Sequence, residues 1–328
     1  MYFPTISFLI PTYNAATLLG RCLAAIRTLD YPQDRVQILV ADGRSSDDTP
    51  YVAARFGATL LDNPARECER GKAVAFRSSR GEFIVLLDAD NILASSDWLR
   101  RLLFPFCDPA VMGVESNYLV APDFRSLDSY IAQLIIDDPL ARMLAARPKV
   151  TIDPAGYLLK TYPAGSRPVV GANGFIWRRT VIEAFLTNRP DFNELDLAAA
   201  AASQHPLIVA NVPGVGIYHY TCPSLAAYAR KHNVRAKKHL ARVGASGADW
   251  TAWQGRPKLI ISALYLMSGI GPLCESVGNI VRGGRLPWLW HPIVSCLTVC
   301  IYASAKLQSL LTHGPPRDPQ LADDYSGP

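Results

Sequence analysis

The chain of 328 residues carries seven cysteines but no CxxC pair and no Cys/His spacing, so neither a disulfide framework nor a zinc site is indicated. Its N-terminus lacks a basic segment ahead of the apolar start, which reads as a first strand and not as a signal peptide. The strongly basic run at 230–242 has no aromatic side chains interleaved for base stacking, which argues against nucleic acid as a partner. No internal repeat is visible, so solenoids and propellers are excluded. What the chain does have is a formal net charge of +5 and 49% hydrophobic residues. With a pI near 8.8, the charge suits an anionic surface. A mean hydropathy of +0.10 is high for a soluble enzyme and low for a polytopic transporter. One α/β domain of about 240 residues with a short membrane appendix is the economical reading of this length.

The most informative stretch is Leu86-Leu87-Asp88-Ala89-Asp90-Asn91. The apolar run Phe83–Leu87 predicts a buried strand, and two carboxylates at its end need a partner, because unpaired charge at the edge of a core is costly. A divalent cation carrying a diphosphate is such a partner, since carboxylate oxygens suit Mg²⁺ or Mn²⁺. A strand-end loop whose acids cap the next helix is the plainer alternative. Upstream, Ile6–Ile10 and Val36–Val40 predict further strands, with a third over 58–61. The spacing of Leu18, Leu19, Cys22, Leu23 and Ile26 predicts a helix between the first two; others are expected from Pro50 to Phe56 and from Lys72 to Ser79. The order β-α-β-α-β-α-β is that of a doubly wound nucleotide-binding half, which brings the polar clusters Thr12/Tyr13/Asn14, Asp42/Ser45 and Asp88/Asp90 to one sheet edge.

Ile10-Pro11-Thr12-Tyr13-Asn14, Asp42-Gly43-Arg44-Ser45-Ser46-Asp47-Asp48-Thr49 and Leu87-Asp88-Ala89-Asp90 together resemble the three signatures of the family 2 glycosyltransferases, which have the GT-A fold. The resemblance covers roughly residues 4–240 and is tightest in the first hundred. It implies a nucleotide-diphospho-sugar donor, a divalent metal (Mg²⁺ or Mn²⁺) and inversion at the anomeric carbon. Pro11, Tyr13, Asn14 and Asp42 would then hold the nucleoside, and Asp88 and Asp90 the ribose and the metal-bound diphosphate. Lys72 would lie near the donor, or be a solvated helix lysine. Arg44 departs from the pattern, where a small residue, often Gly, usually stands. Gly171-Ala172-Asn173-Gly174 resembles the stretch that lines the acceptor side. The family usually carries adjacent Glu-Asp as its base motif, whereas this chain has Glu194-Leu195-Asp196 after Asp191-Phe192-Asn193. Asp196 is the first choice for the base that takes the acceptor proton and Glu194 the second; both could instead serve the dipole of the following helix. His219, on the strand expected at 216–220, would contact metal or phosphate. If Arg235 stands for the Arg of a Gln-x-x-Arg-Trp motif, His232 and Ala236 replace its other two positions, which fits processive synthases poorly.

Beyond the basic helix expected at 225–241, residues 258–280 and 288–311 are two long apolar stretches joined by Arg282-Gly283-Gly284-Arg285. They predict a C-terminal hydrophobic hairpin: two spans with the catalytic domain cytoplasmic, a helix pair lying in the leaflet, or a buried hairpin. The expected division is therefore a catalytic domain at 1–245, a membrane-associated hairpin at 256–312, and a disordered, proline-rich tail at 313–328. A lipid-linked or cell-surface glycan acceptor follows from the membrane segments. Two other functions stay open. One is a sugar nucleotidyltransferase, which would want a Gly-rich phosphate loop where Pro11–Asn14 stands; the other is an inactive nucleotide-binding partner of a glycan-assembly complex.

Overall fold

The computed structural model describes residues 2–134, 136–187, 189, 193–246 and 255–311. The chain divides into two compact units: one runs to Leu119 and resumes over Ala146–His219, and the other comprises Val120–Ala145 and the described residues from Tyr220 to Leu311. The basic helix at 225–246, expected to close the first domain, belongs to the second unit. The tail at 313–328 lies outside the described residues.

The first unit is built on a mixed sheet. Strand β1 (Ile6–Thr12) is buried along its whole length, as a strand flanked on both edges and both faces must be. It pairs in parallel with β2 (Val36–Asp42) and with β4 (Phe83–Leu86), and β2 pairs with β3 (Thr59–Asp62). Helices α1 (Ala16–Arg27), α2 (Thr49–Arg55) and α3 (Cys68–Arg77) make the crossovers. The order β3-β2-β1-β4 is the doubly wound half expected from the sequence. Leu19, Cys22, Leu23 and Ile26 form the buried face of α1, one turn apart as their spacing requires. Helix α3 starts four residues earlier than expected, because its first turn is polar and carries Gly71. A side chain there would sit 2.9 Å from Pro11 Cβ and 2.8 Å from Asn63 Nδ2, so the glycine lets α3 close onto the end of β1.

Residues 110–168, too irregular to read from sequence, supply β6 (Gly113–Tyr118), β7 (Lys149–Ile152) and β8 (Leu158–Tyr162) to the same sheet. Strand β7 is exposed at all four positions, so it leaves no apolar period to detect. The sheet continues from β4 through β9 (Phe175–Arg178), β6 and β10 (Leu207–His219) to β8 and β7. Short β5 (Asn91–Leu93) pairs antiparallel with the far end of β10. Helices α4 (Trp98–Leu103), α7 (Arg179–Leu186) and α8 (Glu194–Ala201) complete the unit.

The second unit is helical: α5 (Ser126–Leu134), α6 (Pro139–Leu144), α9 (Leu225–Ser246), α10 (Arg256–Met267), α11 (Ile270–Val281) and α12 (His291–Leu311). Its core gathers Tyr130, Tyr228, Trp288 and Val294 in one cluster and Ala236, Ile301 and Ala305 in another. The two apolar stretches expected as a hairpin form three helices. The first stretch breaks into α10 and α11, bent by 73°. Gly269 at the break has φ 67°, and Pro272, one turn into α11, has no N–H to continue a ladder from α10. Leu286–Leu311 is the one described helix long and apolar enough to cross a membrane.

Candidate active site

The parallel register delivers the predicted residues to one edge. Thr12 stands opposite Asp42, and Asp42 opposite Asp62. The Asp42 carboxylate is buried and accepts hydrogen bonds from the Ser45 N–H at 2.9 Å and the Ser45 hydroxyl at 2.5 Å. Ser45 Oγ in turn accepts the Asn14 N–H, and Asn14 Oδ1 accepts the Ser46 N–H, both at 2.8 Å. The loops after β1 and β2 are thus latched together. Asp47 adds a second latch, accepting from the Ala16 and Thr49 N–H groups at 3.1 and 3.0 Å. Burial alone would raise the Asp47 carboxyl; the Thr49 hydroxyl and these N–H donors outweigh it and hold the group below the usual carboxylate range.

Arg44, the departure from the family pattern, adopts φ 62°, a backbone conformation that explains why a glycine suits the position. Its guanidinium closes a two-pronged ion pair on Asp62 at 3.1 and 3.0 Å. Arg66, which belongs to none of the sequence motifs, donates to the Gly43 carbonyl and covers the Tyr13 ring at 4.7 Å. Pro11, buried near the end of β1, faces Gly71 of α3.

Asp88 and Asp90 occupy the link between β4 and β5, and the structure separates their partners. Asp88 faces Lys72, whose ammonium lies 3.3 Å from Asp88 Oδ1 and also donates to Glu194 Oε1. Lys72 is 3% exposed, so it is not a solvated helix lysine. Burial pulls its ammonium down, but the negative charge of Asp88 and Glu194 and the hydrogen bond to Glu194 more than reverse this and keep it above the ordinary lysine value. Beside it, burial and then the Asp88 charge push the Cys68 thiol well up, so it stays protonated 3.7 Å from Asp88 Oδ1.

Asp90 faces the other way. The register of β5 on β10 sets His219 opposite Asn91, and His219 Nε2 comes within 3.4 Å of Asp90 Oδ2. Asn91 Nδ2 donates to the other Asp90 oxygen at 2.6 Å. His219 is buried against the Tyr118 ring, with no partner on Nδ1; Asn91 Oδ1 is also buried without one. A carboxylate and an imidazole meeting beside two unsatisfied polar atoms form a donor set that a divalent cation accepts. Asp88, expected as a further ligand, spends its charge on Lys72, because a buried ammonium needs its carboxylates. Among the described residues no group of three or more His, Cys, Asp or Glu forms a metal cluster.

The loop 171–174 joins this edge from β9. The Gly174 N–H donates to Leu86 O at 2.7 Å, tying the loop to the strand that ends at the two aspartates. Gly171, Asn173 and Gly174 have φ of 109°, 47° and 78°. A Cβ on Gly171 would stand 3.0 Å from the Trp177 ring and 3.4 Å from Glu194 Cβ, so the glycine makes room for Glu194. Asn173 Oδ1 is buried and unpaired. Glu194 opens α8, with Asn193 as N-cap, whose side-chain oxygen accepts a hydrogen bond from the Leu195 N–H. Asp196 lies two residues on, about 200° around the helix, and has no ion pair with any described residue. Asp191 and Phe192 lie outside the described residues.

A parallel β3-β2-β1-β4 half with polar loops at its C-terminal edge, extended by antiparallel strands, is a GT-A-like α/β fold. In keeping with this, a mannosyltransferase from Pyrobaculum calidifontis, solved in complex with GDP-Man and Mn²⁺, superposes with a TM-score of 0.56. That comparison covers 94% of this chain and 88% of the other at 18% identity, and so bears on the fold. Residues 7–138 match the model of Glycosyl transferase family 2. Among curated relatives, glycosyltransferase AglE of Haloferax volcanii is 28% identical over 104 residues, 30% of this chain and 34% of that protein. The O-antigen chain rhamnosyltransferase RfbN of Salmonella typhimurium is 30% identical over 127 residues, 37% of this chain and 40% of that protein. The matched part thus spans well under half the length of these relatives.

Proposed function

We propose that this chain is an inverting glycosyltransferase that moves a sugar from a nucleotide-diphospho-sugar to a hydroxyl of a lipid-linked or glycan acceptor, at a membrane and on its cytoplasmic side. The observation that carries the reading is the convergence, on one sheet edge of a family 2 segment, of Asp42, the Lys72–Asp88–Glu194 cluster and the Asp90–His219 pair. Tyr13, under Arg66, and Asp42, with Pro11 and Asn14 shaping the loop, take the nucleoside. Asp88, held by Lys72, serves the donor side, and Lys72 offers its charge to the diphosphate. Asp90 and His219 would hold Mg²⁺ or Mn²⁺; when bound, the cation neutralises the diphosphate as it leaves.

Gly171–Gly174 border the acceptor side, which sets Glu194 between the acceptor and Lys72. Glu194, the second choice from sequence, is therefore the better base than Asp196: it shares the buried cluster, and Asp196 does not. Its carboxylate takes the proton of the acceptor hydroxyl as that oxygen attacks the anomeric carbon. The bond to the diphosphate breaks on the opposite face, which inverts the centre. The cationic, apolar second unit supports the membrane placement, and the basic charge of α9 suits the anionic cytoplasmic leaflet.

The test is transfer from a panel of UDP-, GDP- and dTDP-sugars, with Mn²⁺, Mg²⁺ or EDTA, in the presence of membrane lipid extract. Metal-dependent transfer from one donor is expected. Glu194→Gln should lower kcat by about 10²–10⁴, while Asp196→Asn stays near wild type. A collapse only with Asp196→Asn would return the base to that residue.

A further inference from the structure

One side of the second unit is apolar and exposed. Ile261 and Leu264 on α10, and Ile270, Leu273, Val277 and Val281 on α11, are 49–80% exposed although wholly apolar. On α11 these positions recur every three or four residues, so they form one face. The turn that follows continues it with Leu286 and Leu289, 71% and 54% exposed. The inner side of the same helices is mixed, with Leu266 in an apolar cluster with Leu140 and Leu144 and polar groups beside it. Ser262 and Ser276 are buried, and Ser276 Oγ donates to the Trp288 carbonyl at 2.8 Å. Glu275, the one acid on the apolar stretch, turns inward, where it accepts from Arg142 at 3.1 Å and from the Tyr265 hydroxyl at 2.9 Å.

Neither half of the bent pair can cross a bilayer. Each has 12 residues, about 18 Å of helix against a hydrocarbon core of about 30 Å. Helix α12 has the length, but not the surroundings. It packs along α9: Ile301 and Ala305 meet Ala236, with Leu297 and Tyr302 beside Ala229 and Leu240. The Tyr228 hydroxyl bonds Thr298 Oγ1 at 2.7 Å, and the Tyr302 hydroxyl donates to Asp138 at 2.9 Å. The α9 segment so engaged carries Arg230, Lys231, Arg235, Lys237 and Lys238. If α12 crossed a membrane, those cations would be carried to hydrocarbon depth with it. Exposed Arg256, Arg282 and Arg285 stand at the ends of the bent pair, where anionic headgroups would meet them.

We propose that α10, α11 and the Leu286–Trp290 turn embed in one leaflet of an anionic bilayer as an in-plane anchor, and that α12 does not cross it. This rests on the membrane association put forward above and replaces the two-span reading with a monotopic one. The test uses the full chain added to preformed sealed vesicles, of phosphatidylcholine alone or with phosphatidylglycerol. Flotation at least tenfold stronger with the anionic vesicles is expected. Ile270→Glu/Val277→Glu, at positions facing away from the protein, should abolish it while leaving the far-UV CD melt unchanged; equal flotation of this variant would overturn the assigned face. Single thiols placed by Arg285→Cys or Gln308→Cys, with exposed Cys107, Cys274 and Cys300 and half-buried Cys296 changed to Ser, should both react with an impermeant maleimide from outside. Protection of one of the two until detergent is added would mean that α12 crosses, overturning the in-plane geometry but not the membrane reading. A chain that stays in solution with either vesicle would overturn the membrane reading itself.

Discussion

Lys72 is where the physics of single residues is most demanding. A cation 3% exposed is tolerable only because Asp88 and Glu194 both face it. Lys72→Met removes the cation and strands the two carboxylates. Because Asp88 remains 31% exposed, the expected loss is at the lower end for a broken buried pair, about 3 kcal/mol, read by urea denaturation. An unchanged midpoint would mean that the carboxylates find other partners. Gly71, next to it, is the other sensitive residue. Gly71→Ala forces a methyl to within 2.8–2.9 Å of Asn63 and Pro11, and overpacking of this kind costs about 1–3 kcal/mol. Since the shift falls on Pro11, nucleotide affinity should fall along with the midpoint. At this scale the sequence was informative about residue types and silent about partners. It pointed to Glu194 and Asp196 alike; only the turn of α8 separates the one that reaches Lys72 from the one that does not.

Among elements, the latch between the β1–α1 and β2–α2 loops hangs on Asp47 and Asp42. The folded Asp47 carboxyl lies below its unfolded value, near 3.9. Its contribution to stability is therefore complete above that unfolded value and disappears as pH falls through the lower folded one. Asp47→Asn should accordingly lower the neutral plateau of a stability–pH profile, and the two profiles should converge as pH falls through the folded value. The elements themselves were legible where the period was clean: β1, β2 and β4 as apolar runs, α1 as a stripe. Strand β7 and the α10–α11 break were not. An edge strand exposed throughout has no pattern, and a bend at Gly269 looks, in a hydropathy window, like one continuous apolar stretch.

The whole molecule has two units with different chemistry, and a ligand of the first should not stabilise the second. In calorimetry of the detergent-free chain, Mn²⁺ with the matching nucleotide at about 100 times its dissociation constant should raise one of two transitions by the equivalent of about 2.7 kcal/mol. EDTA should reverse the shift, and the other transition should stay in place. A single transition moving as a whole would mean that the units unfold together. Crossing a bilayer with α12 would be prohibitive on the same scale: a cation at the centre costs about 2.5–3.5 kcal/mol, and α9 brings five of them alongside. Local sequence determined the doubly wound half, its order and the polar loops at its edge, because strand and crossover periods are short-range properties of side-chain polarity. Which carboxylate meets which cation was decided in tertiary structure, by the register of β5 on β10 and the docking of α8. The same holds for the apolar C-terminal helices, because whether such a helix can face hydrocarbon on every side depends on what packs against it, and its own residues do not say.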